Sequence, residues 1–143
     1  MTDPATTPVI IGIGEICDRP NDIMQARGPA ELMADAARLA AKDTGADILG
    51  GLDSVDIINP ASWAYDDLPA RLSKALSIAP ARAVLRPTGG ETPLKAIHTA
   101  ADRIANGESS AALIVGAEAQ YSVNTAMRAG QTLPWPPKAT GTP

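Results

Sequence analysis

The side chains in this chain that are able to do chemistry are few and lie far apart. The 143 residues contain one cysteine, Cys17, and one histidine, His98. A single thiol cannot form an internal disulfide, and it supplies too few ligands for a structural zinc site. Cys17 follows a run of apolar residues and glycines, where a free thiol is typically a small buried hydrophobe. We therefore expect no metal centre in this chain.

A second group of candidates lies in and after a turn with the sequence Pro87-Thr-Gly-Gly-Glu-Thr-Pro93. Glu91 is either a general acid or base, or an acid that stabilises the start of the following helix through its dipole. Thr92 precedes a proline and is typical of a helix N-cap. His98 either faces a pocket as a base or is packed or solvated, as a lone helical histidine usually is.

Apolar runs and amphipathic segments alternate along the chain. The β-branched run at 8–16 and the runs at 52–59, 83–86 and 110–116 predict strands. Segments 29–44, 68–78 and 93–106 have apolar residues at helical spacing. In the last of these, we expect a buried face formed by Leu94, Ile97, Ala101 and Ile104. The order β-α-β-α-β-α-β predicts a layered α/β fold with a mostly parallel central sheet.

The ends of the chain differ from its middle. Residues 1–7 are polar, and we expect a flexible N-terminus. Residues 130–143 contain four prolines and no periodic pattern, which is typical of an arm or linker. The sequence therefore predicts one α/β domain over residues 8–129.

Composition and charge exclude several classes of function. The net charge is −4 and basic residues do not cluster, which argues against nucleic-acid binding. The apolar runs are far shorter than the ~20 residues of a membrane span, and the first residues lack the pattern of a signal peptide. We expect a cytoplasmic protein. A dinucleotide fingerprint beginning at Gly12 fails, because its third glycine would fall on Cys17.

Several short motifs occur in a fixed order between residues 8 and 122. They are Val9-Ile-Ile-Gly-Ile-Gly-Glu15 with Asp18-Arg-Pro20, Gly28-Pro-Ala-Glu-Leu-Met33 with Asn59-Pro-Ala-Ser-Trp-Ala-Tyr65, Leu94-Lys-Ala-Ile97, Ile104-Ala-Asn-Gly107, Ala111-Ala-Leu-Ile-Val115 and Gly116-Ala-Glu118. Their order and spacing resemble the N-terminal half of the thiolase superfamily. The resemblance is greatest to sterol-carrier-protein-type thiolase-like and acetyl-CoA acetyltransferase-like proteins.

The chain departs from this family at the nucleophile. Counting back from Leu94, the position of the family's catalytic cysteine falls on Gly90, and Glu91, Thr92 and Pro93 replace a Gly-Ser-Gly sequence. A glycine cannot form an acyl intermediate, which requires an activated thiolate. The turn at Gly90 is either a catalytic turn without its nucleophile that still shapes an acyl pocket, or a plain strand-to-helix turn.

The resemblance implies a subunit or fragment that acts on or binds acyl-CoA thioesters with fatty-acyl or steroid-like chains, in lipid metabolism or steroid degradation. The CoA thioester would be the substrate, and no cofactor would be bound covalently. If active, the chain would be an acyltransferase or retro-aldol lyase subunit that makes or breaks a carbon–carbon bond without an acyl-cysteine. No cofactor-binding residue can be assigned, because much of the family's CoA pocket belongs to the second half.

The alternative is a non-catalytic partner in a larger acyl-CoA enzyme assembly. Thiolase-like halves pair through the strand before the nucleophile helix, here Ala83 to Arg86, which implies a dimer. The resemblance also implies a homo-oligomer, or a hetero-oligomer with a chain that supplies the C-terminal thiolase half.

Overall fold

Strand β1, Ser54–Ile58, lies at the centre of a three-stranded sheet. It pairs in parallel with β2, Arg82–Arg86, on one edge and with β3, Ala112–Val115, on the other. The structure is a computed structural model and describes residues 3–140. Within that range the predicted layered α/β fold with a parallel central sheet is confirmed.

Four helices connect or follow the strands. They are α1, Pro29–Asp43, α2, Leu68–Leu76, α3, Thr92–Ala105, and α4, Gln120–Arg128. Prolines occupy the first turns of α1, α2 and α3, where a missing N–H removes no helical hydrogen bond. Short 3-10 turns occur at Pro4–Thr6, Ile23–Gln25 and Leu49–Gly51.

The helices cover both faces of the sheet. Two crossover connections run in opposite directions across the sheet. The first leads from β1 through α2 to β2, and the second returns from β2 through α3 to β3. Right-handed crossovers therefore place α2 and α3 on opposite faces. Helix α1 packs with α2 over Val55 and Ile57, and this contact forms the main core. Helix α3 buries Ala96 and Ala100 on the other side.

Asp56 carries a buried charge on the α3 face of the sheet. Its side chain is only 1% exposed, and its carboxylate accepts hydrogen bonds from Arg82 at 3.0 and 3.1 Å and from Arg86 Nε at 2.7 Å. Burial alone would raise the pKa of Asp56, but the two guanidinium groups outweigh it and hold the pKa below its ordinary value. This cluster joins the central strand to β2 through side chains as well as through backbone.

The predicted strand at 8–16 is wrong as a strand of this sheet. The segment is extended, but it has no ladder partner among the described residues. It lies instead on α1, where the backbone at Gly12 and Gly14 approaches so closely that an added Cβ would lie 2.3 and 2.2 Å from helix carbonyl oxygens. The backbone N–H of Ile13 donates to Asp43 Oδ2 at 2.8 Å. Close packing of this segment on the helix therefore requires glycine at both positions.

The predicted buried face of α3 is also wrong in part. Leu94 is 61% exposed and Ile97 is 39% exposed, while Ala101 and Ile104 are half-buried. The apolar stripe exists, but within the described residues no layer covers its N-terminal half. Helix α4 has no counterpart among the predicted helices, and its buried Ala126 belongs to a second core cluster with Ile23.

The proline-rich segment packs against the domain where it is described. Leu133 and Trp135 are buried, and Trp135 Nε1 donates to the carbonyl of Ala26 at 2.7 Å. The rings of Trp63 and Trp135 meet edge to face, with centroids 4.9 Å apart. The predicted division at residues 7 and 129 stays a prediction, and residues 1–2 and 141–143 lie outside the described residues.

Replacing Asp56 by Asn should lower the free energy of unfolding by about 3 kcal/mol, because it leaves two guanidinium groups without their shared carboxylate. Urea unfolding at neutral pH measures the change. Because the folded pKa is lowered, the carboxylate stabilises the fold above about pH 4, the unfolded value, and this contribution is lost as pH falls through the folded pKa.

The variant should therefore lose stability less steeply than the natural chain below about pH 4. The matched control is Glu91→Gln, which removes a carboxylate that is 76% exposed and should leave the midpoint unchanged. Equal midpoints for Asp56→Asn and the natural chain would contradict the account of this cluster.

Replacing Gly14 by Ala should release the 8–16 segment, since the new methyl would overlap backbone atoms of α1. We expect a loss of about 1–3 kcal/mol in unfolding free energy, measured with urea, and faster proteolysis within the segment. At Gly50 an added Cβ meets nothing within 4 Å, so Gly50→Ala is the control and should match the natural chain. If both variants behave alike, the close packing on α1 is not a constraint.

Candidate functional site

A cavity of about 620 Å³ opens at the carboxyl ends of the three parallel strands. Ligand sites in open α/β sheets occur at this edge, where the strand ends and the following turns converge. Each strand supplies its last residues or its following turn, and α3 forms one side. The lining residues are Ile58, Asn59, Thr88, Gly89, Gly90, Pro93, Ile97, Ile114, Val115, Gly116, Ala117 and Glu118.

The turn before α3 is fixed to the end of β1 by hydrogen bonds. Thr88 Oγ1 donates to the carbonyl of Asn59 at 2.7 Å, and the Asn59 N–H donates to the carbonyl of Arg86 at 3.0 Å. The N–H of Thr92 closes the turn on the carbonyl of Gly89 at 3.3 Å. At Gly90 an added Cβ would meet no atom within 4 Å, so the turn has room for a side chain there.

Glu118 holds the opposite wall of the cavity. Its carboxylate accepts from the backbone N–H groups of Ala61 and of Ser62, the latter at 2.9 Å. Ser62 Oγ in turn accepts from the N–H of Ala119 at 3.0 Å, and this contact is buried. The turns after β1 and β3 are thus tied together by reciprocal hydrogen bonds. Glu118 is the residue that the sequence analysis left without a role, although it ends the Gly-Ala-Glu motif after the fourth apolar run.

The three predicted catalytic positions do not come together. Gly90 lines the cavity, whereas Glu91, which immediately precedes α3, and His98 on α3 are exposed and do not line it. The Glu91 carboxylate accepts from Lys95 Nζ at 2.8 Å, one helical turn away, and makes no side-chain cap of the helix. Catalysis at these residues stays a prediction.

Cys17 and Tyr65 lie outside this cavity. The expectation of a buried Cys17 is wrong, because the thiol is exposed at an outward-facing position of the extended segment. Tyr65 lies between helices: its hydroxyl accepts from the N–H of Ala30, and Arg71 of α2 lies over its ring. Burial raises the pKa of this phenol. Tyr65 thus bridges α1 and α2.

Polar chemistry in the cavity is therefore mainly backbone chemistry. Among the described residues, the N–H groups of Gly90 and Glu91 at the start of α3 donate no hydrogen bond within the chain. Such N–H groups are able to stabilise a carbonyl oxygen that gains negative charge. No cluster of three or more candidate metal ligands occurs between residues 3 and 140. No helix in the described part of the chain has the length and apolarity to cross a membrane.

Comparisons with known proteins show which solved structure the fold is similar to. No protein-family model matches the sequence, and no curated protein matches it. Among solved structures, the chain is similar to a crystal structure of a monomeric SCP2-thiolase like protein type 1 from Mycobacterium smegmatis. The sequences are 31% identical and the TM-score is 0.66. The match covers 80% of this chain and 23% of that chain.

The chain thus spans less than a quarter of the protein it matches. The similarity in structure is nevertheless accompanied by recognisable sequence identity over most of the present residues. Together with the parallel β2-β1-β3 sheet and its flanking helices, it confirms the predicted resemblance. The chain has a thiolase-like fold of the sterol-carrier-protein type, with glycine where the sequence motifs place the nucleophile.

Proposed function

We infer that the chain is an acyl-CoA-binding part of a thiolase-like enzyme. In this role it holds the thioester end of an acyl-CoA with a fatty-acyl or steroid-like chain in the cavity at the sheet edge. Any bond made or broken would be a carbon–carbon bond next to the thioester carbonyl. No acyl-cysteine would form on this chain, because its one thiol lies on the extended N-terminal segment, outside the lining of the cavity.

The main support for this proposal is the position of the cavity. It lies at the turn that the sequence motifs align with the nucleophile of thiolases, and no cysteine side chain occupies it here. Gly90 lines that cavity, and its backbone contributes no side chain that would fill it. Most of the remaining lining is apolar, as an acyl chain requires. A turn that only connected β2 to α3 would require neither this cavity nor the hydrogen bonds by which Glu118 holds the loop at Ala61 and Ser62.

The chain's own groups would bind and orient rather than react. The N–H of Gly90, which lines the cavity just before α3, would donate to the thioester carbonyl oxygen and favour its enolate or oxyanion form. Glu118 positions the loop at Ala61 and Ser62 and so fixes the width of the cavity. The groups that move protons would come from the part of the fold outside these residues, which agrees with the 23% coverage of the matched protein.

A scaffold role is the second candidate, and two open surfaces favour it. The outer edge of β2 has no partner strand among the described residues. Leu94 and Ile97 also expose apolar surface on α3. The matched protein is described as monomeric, which lends no support to pairing through β2. Acyl-CoA binding distinguishes the two roles.

Replacing Gly90 by Leu should weaken acyl-CoA binding at least about tenfold, because Gly90 lines the cavity and the open space at its Cβ position admits a bulky side chain without displacing protein atoms. Isothermal titration with decanoyl-CoA measures the dissociation constant. Free CoA and decanoate, titrated separately, show which end of the ligand supplies the affinity.

The matched control is Gly50→Leu, since Gly50 also has open space around its Cβ position and lies far from the cavity lining. It should bind decanoyl-CoA as the natural chain does. Equal affinity in both variants would place the ligand elsewhere. If the natural chain gives no binding heat at all, the scaffold role replaces the proposed one.

A further inference from the structure

Polar side chains are few in the cavity at the sheet edge. Among the residues that line it, Asn59, Thr88 and Glu118 have polar side chains, and the others are apolar or glycine. A polar part of a ligand in this cavity therefore has three side chains to meet, besides the backbone. The hydrogen bonds that these three residues already make within the chain determine which of them is free to bind a ligand.

Thr88 and Glu118 are engaged in holding the walls of the cavity. Both carboxylate oxygens of Glu118 accept from backbone N–H groups, those of Ala61 and Ser62, and an ionised carboxylate has no proton to donate. The hydroxyl of Thr88 has one proton, and it donates that proton to the carbonyl of Asn59 at 2.7 Å. Neither side chain therefore has a hydrogen-bond donor left for a ligand.

Asn59 differs from the other two because its backbone is engaged and its side chain is not. Its N–H donates to the carbonyl of Arg86 at 3.0 Å, and its carbonyl accepts from Thr88. The side chain is half-buried, and within residues 3–140 its amide makes no hydrogen bond. A primary amide has two donor hydrogens and one acceptor oxygen. Asn59 is thus held in place by its backbone while its side-chain amide is free.

The chemistry of an acyl-CoA decides which of its groups suits this amide. A ligand that displaces water from Asn59 has to replace the lost hydrogen bonds, since a polar group left without a partner weakens binding. A fatty-acyl chain forms no hydrogen bonds, and the thioester carbonyl is able only to accept. The first group along the pantetheine arm from the sulfur that both donates and accepts is an amide.

We propose that the side-chain amide of Asn59 binds this first pantetheine amide and selects thioesters that carry it. The position of Asn59 suits the role, because its carbonyl is bonded to Thr88, two residues before Gly90 in the same turn. The pantetheine amide is likewise a short distance from the thioester carbonyl, with two methylene groups between its nitrogen and the sulfur. The inference rests on the proposed function, which places the thioester beside Gly90.

Two matched small thioesters test the proposal. S-decanoyl-N-acetylcysteamine carries the same amide at the same distance from the sulfur. Its ester analogue, with oxygen in place of the amide N–H, has nearly the same size but has lost the donor. The natural chain should bind the amide probe at least about fivefold more tightly than the ester probe, because one hydrogen bond to Asn59 is lost. Dissociation constants from chemical-shift titrations give this ratio.

Variants at Asn59 test whether this residue is the source of the preference. Asn59→Leu should reduce the amide-to-ester ratio to below about twofold, since leucine offers the probe no acceptor. Asn59→Asp keeps an acceptor for the amide N–H and should keep the preference, which a purely structural role of Asn59 would not explain. The matched control is Asn106→Leu, because Asn106 is exposed at the end of α3 and does not line the cavity. It should give the ratio of the natural chain.

Two results would overturn the role of Asn59. They are equal affinity of the two probes for the natural chain, and a preference for the amide probe that survives Asn59→Leu. Because the ratio is taken within each variant, a change in stability that affects both probes equally does not alter it. If either result is found while Gly90→Leu still weakens binding of decanoyl-CoA, the inference about Asn59 fails and the proposed function stands. If the natural chain binds neither decanoyl-CoA nor the probes, both fail.

Discussion

The coverage of strand β1 on both edges and both faces is the constraint on which the rest of the structure depends. Its backbone pairs with β2 and β3, its odd-numbered side chains Val55 and Ile57 enter the main core, and Asp56 meets two arginines on the other face. Because the three strands are parallel, their carboxyl ends share one edge. The turns that form the candidate site are therefore neighbours in space although they are distant in sequence.

At that edge, hydrogen bonds join the turns to one another, and glycine leaves open space where a larger residue would place a side chain. Glu118 and Thr88 fix the walls of the cavity by accepting from and donating to backbone groups of the turn after β1. Gly90 lines the same cavity and adds no side chain to it. A cavity with fixed walls and no nucleophile among its lining residues fits ligand binding better than covalent acyl transfer.

Much of the fold was predictable because local patterns and tertiary packing agree. Helix α1 begins at Pro29 as expected, strands β1 and β3 fall within the predicted apolar runs, and β2 begins one residue before its predicted run, at Arg82. The pattern failed where the described residues supply no covering element. The run at 8–16 and the stripe at Leu94 and Ile97 have the composition of buried elements, but the described chain leaves them largely exposed. The composition of a segment indicates that it is suited to burial, but it does not show whether a covering element is present.

The candidate site was predictable only in outline. Gly90 was located by its spacing from Leu94, but no property of the sequence shows that a Cβ there would meet open space. The role of Glu118 depends on contacts with Ala61 and Ser62, which lie more than fifty residues away, and sequence periodicity contains no information on such a contact. Glu91 and His98 were candidates because of their chemistry alone, and neither lines the cavity.

Amide chemical-shift mapping during a titration with decanoyl-CoA tests the central claim most directly, since it locates the ligand without requiring turnover. The account predicts saturable shifts at the backbone amides of Gly89, Gly90 and Glu91 and at residues 116–118, with little change at the outer face of α2. Saturable shifts confined to other surfaces, or none at ligand excess, would contradict the assignment of this sheet edge as an acyl-CoA site.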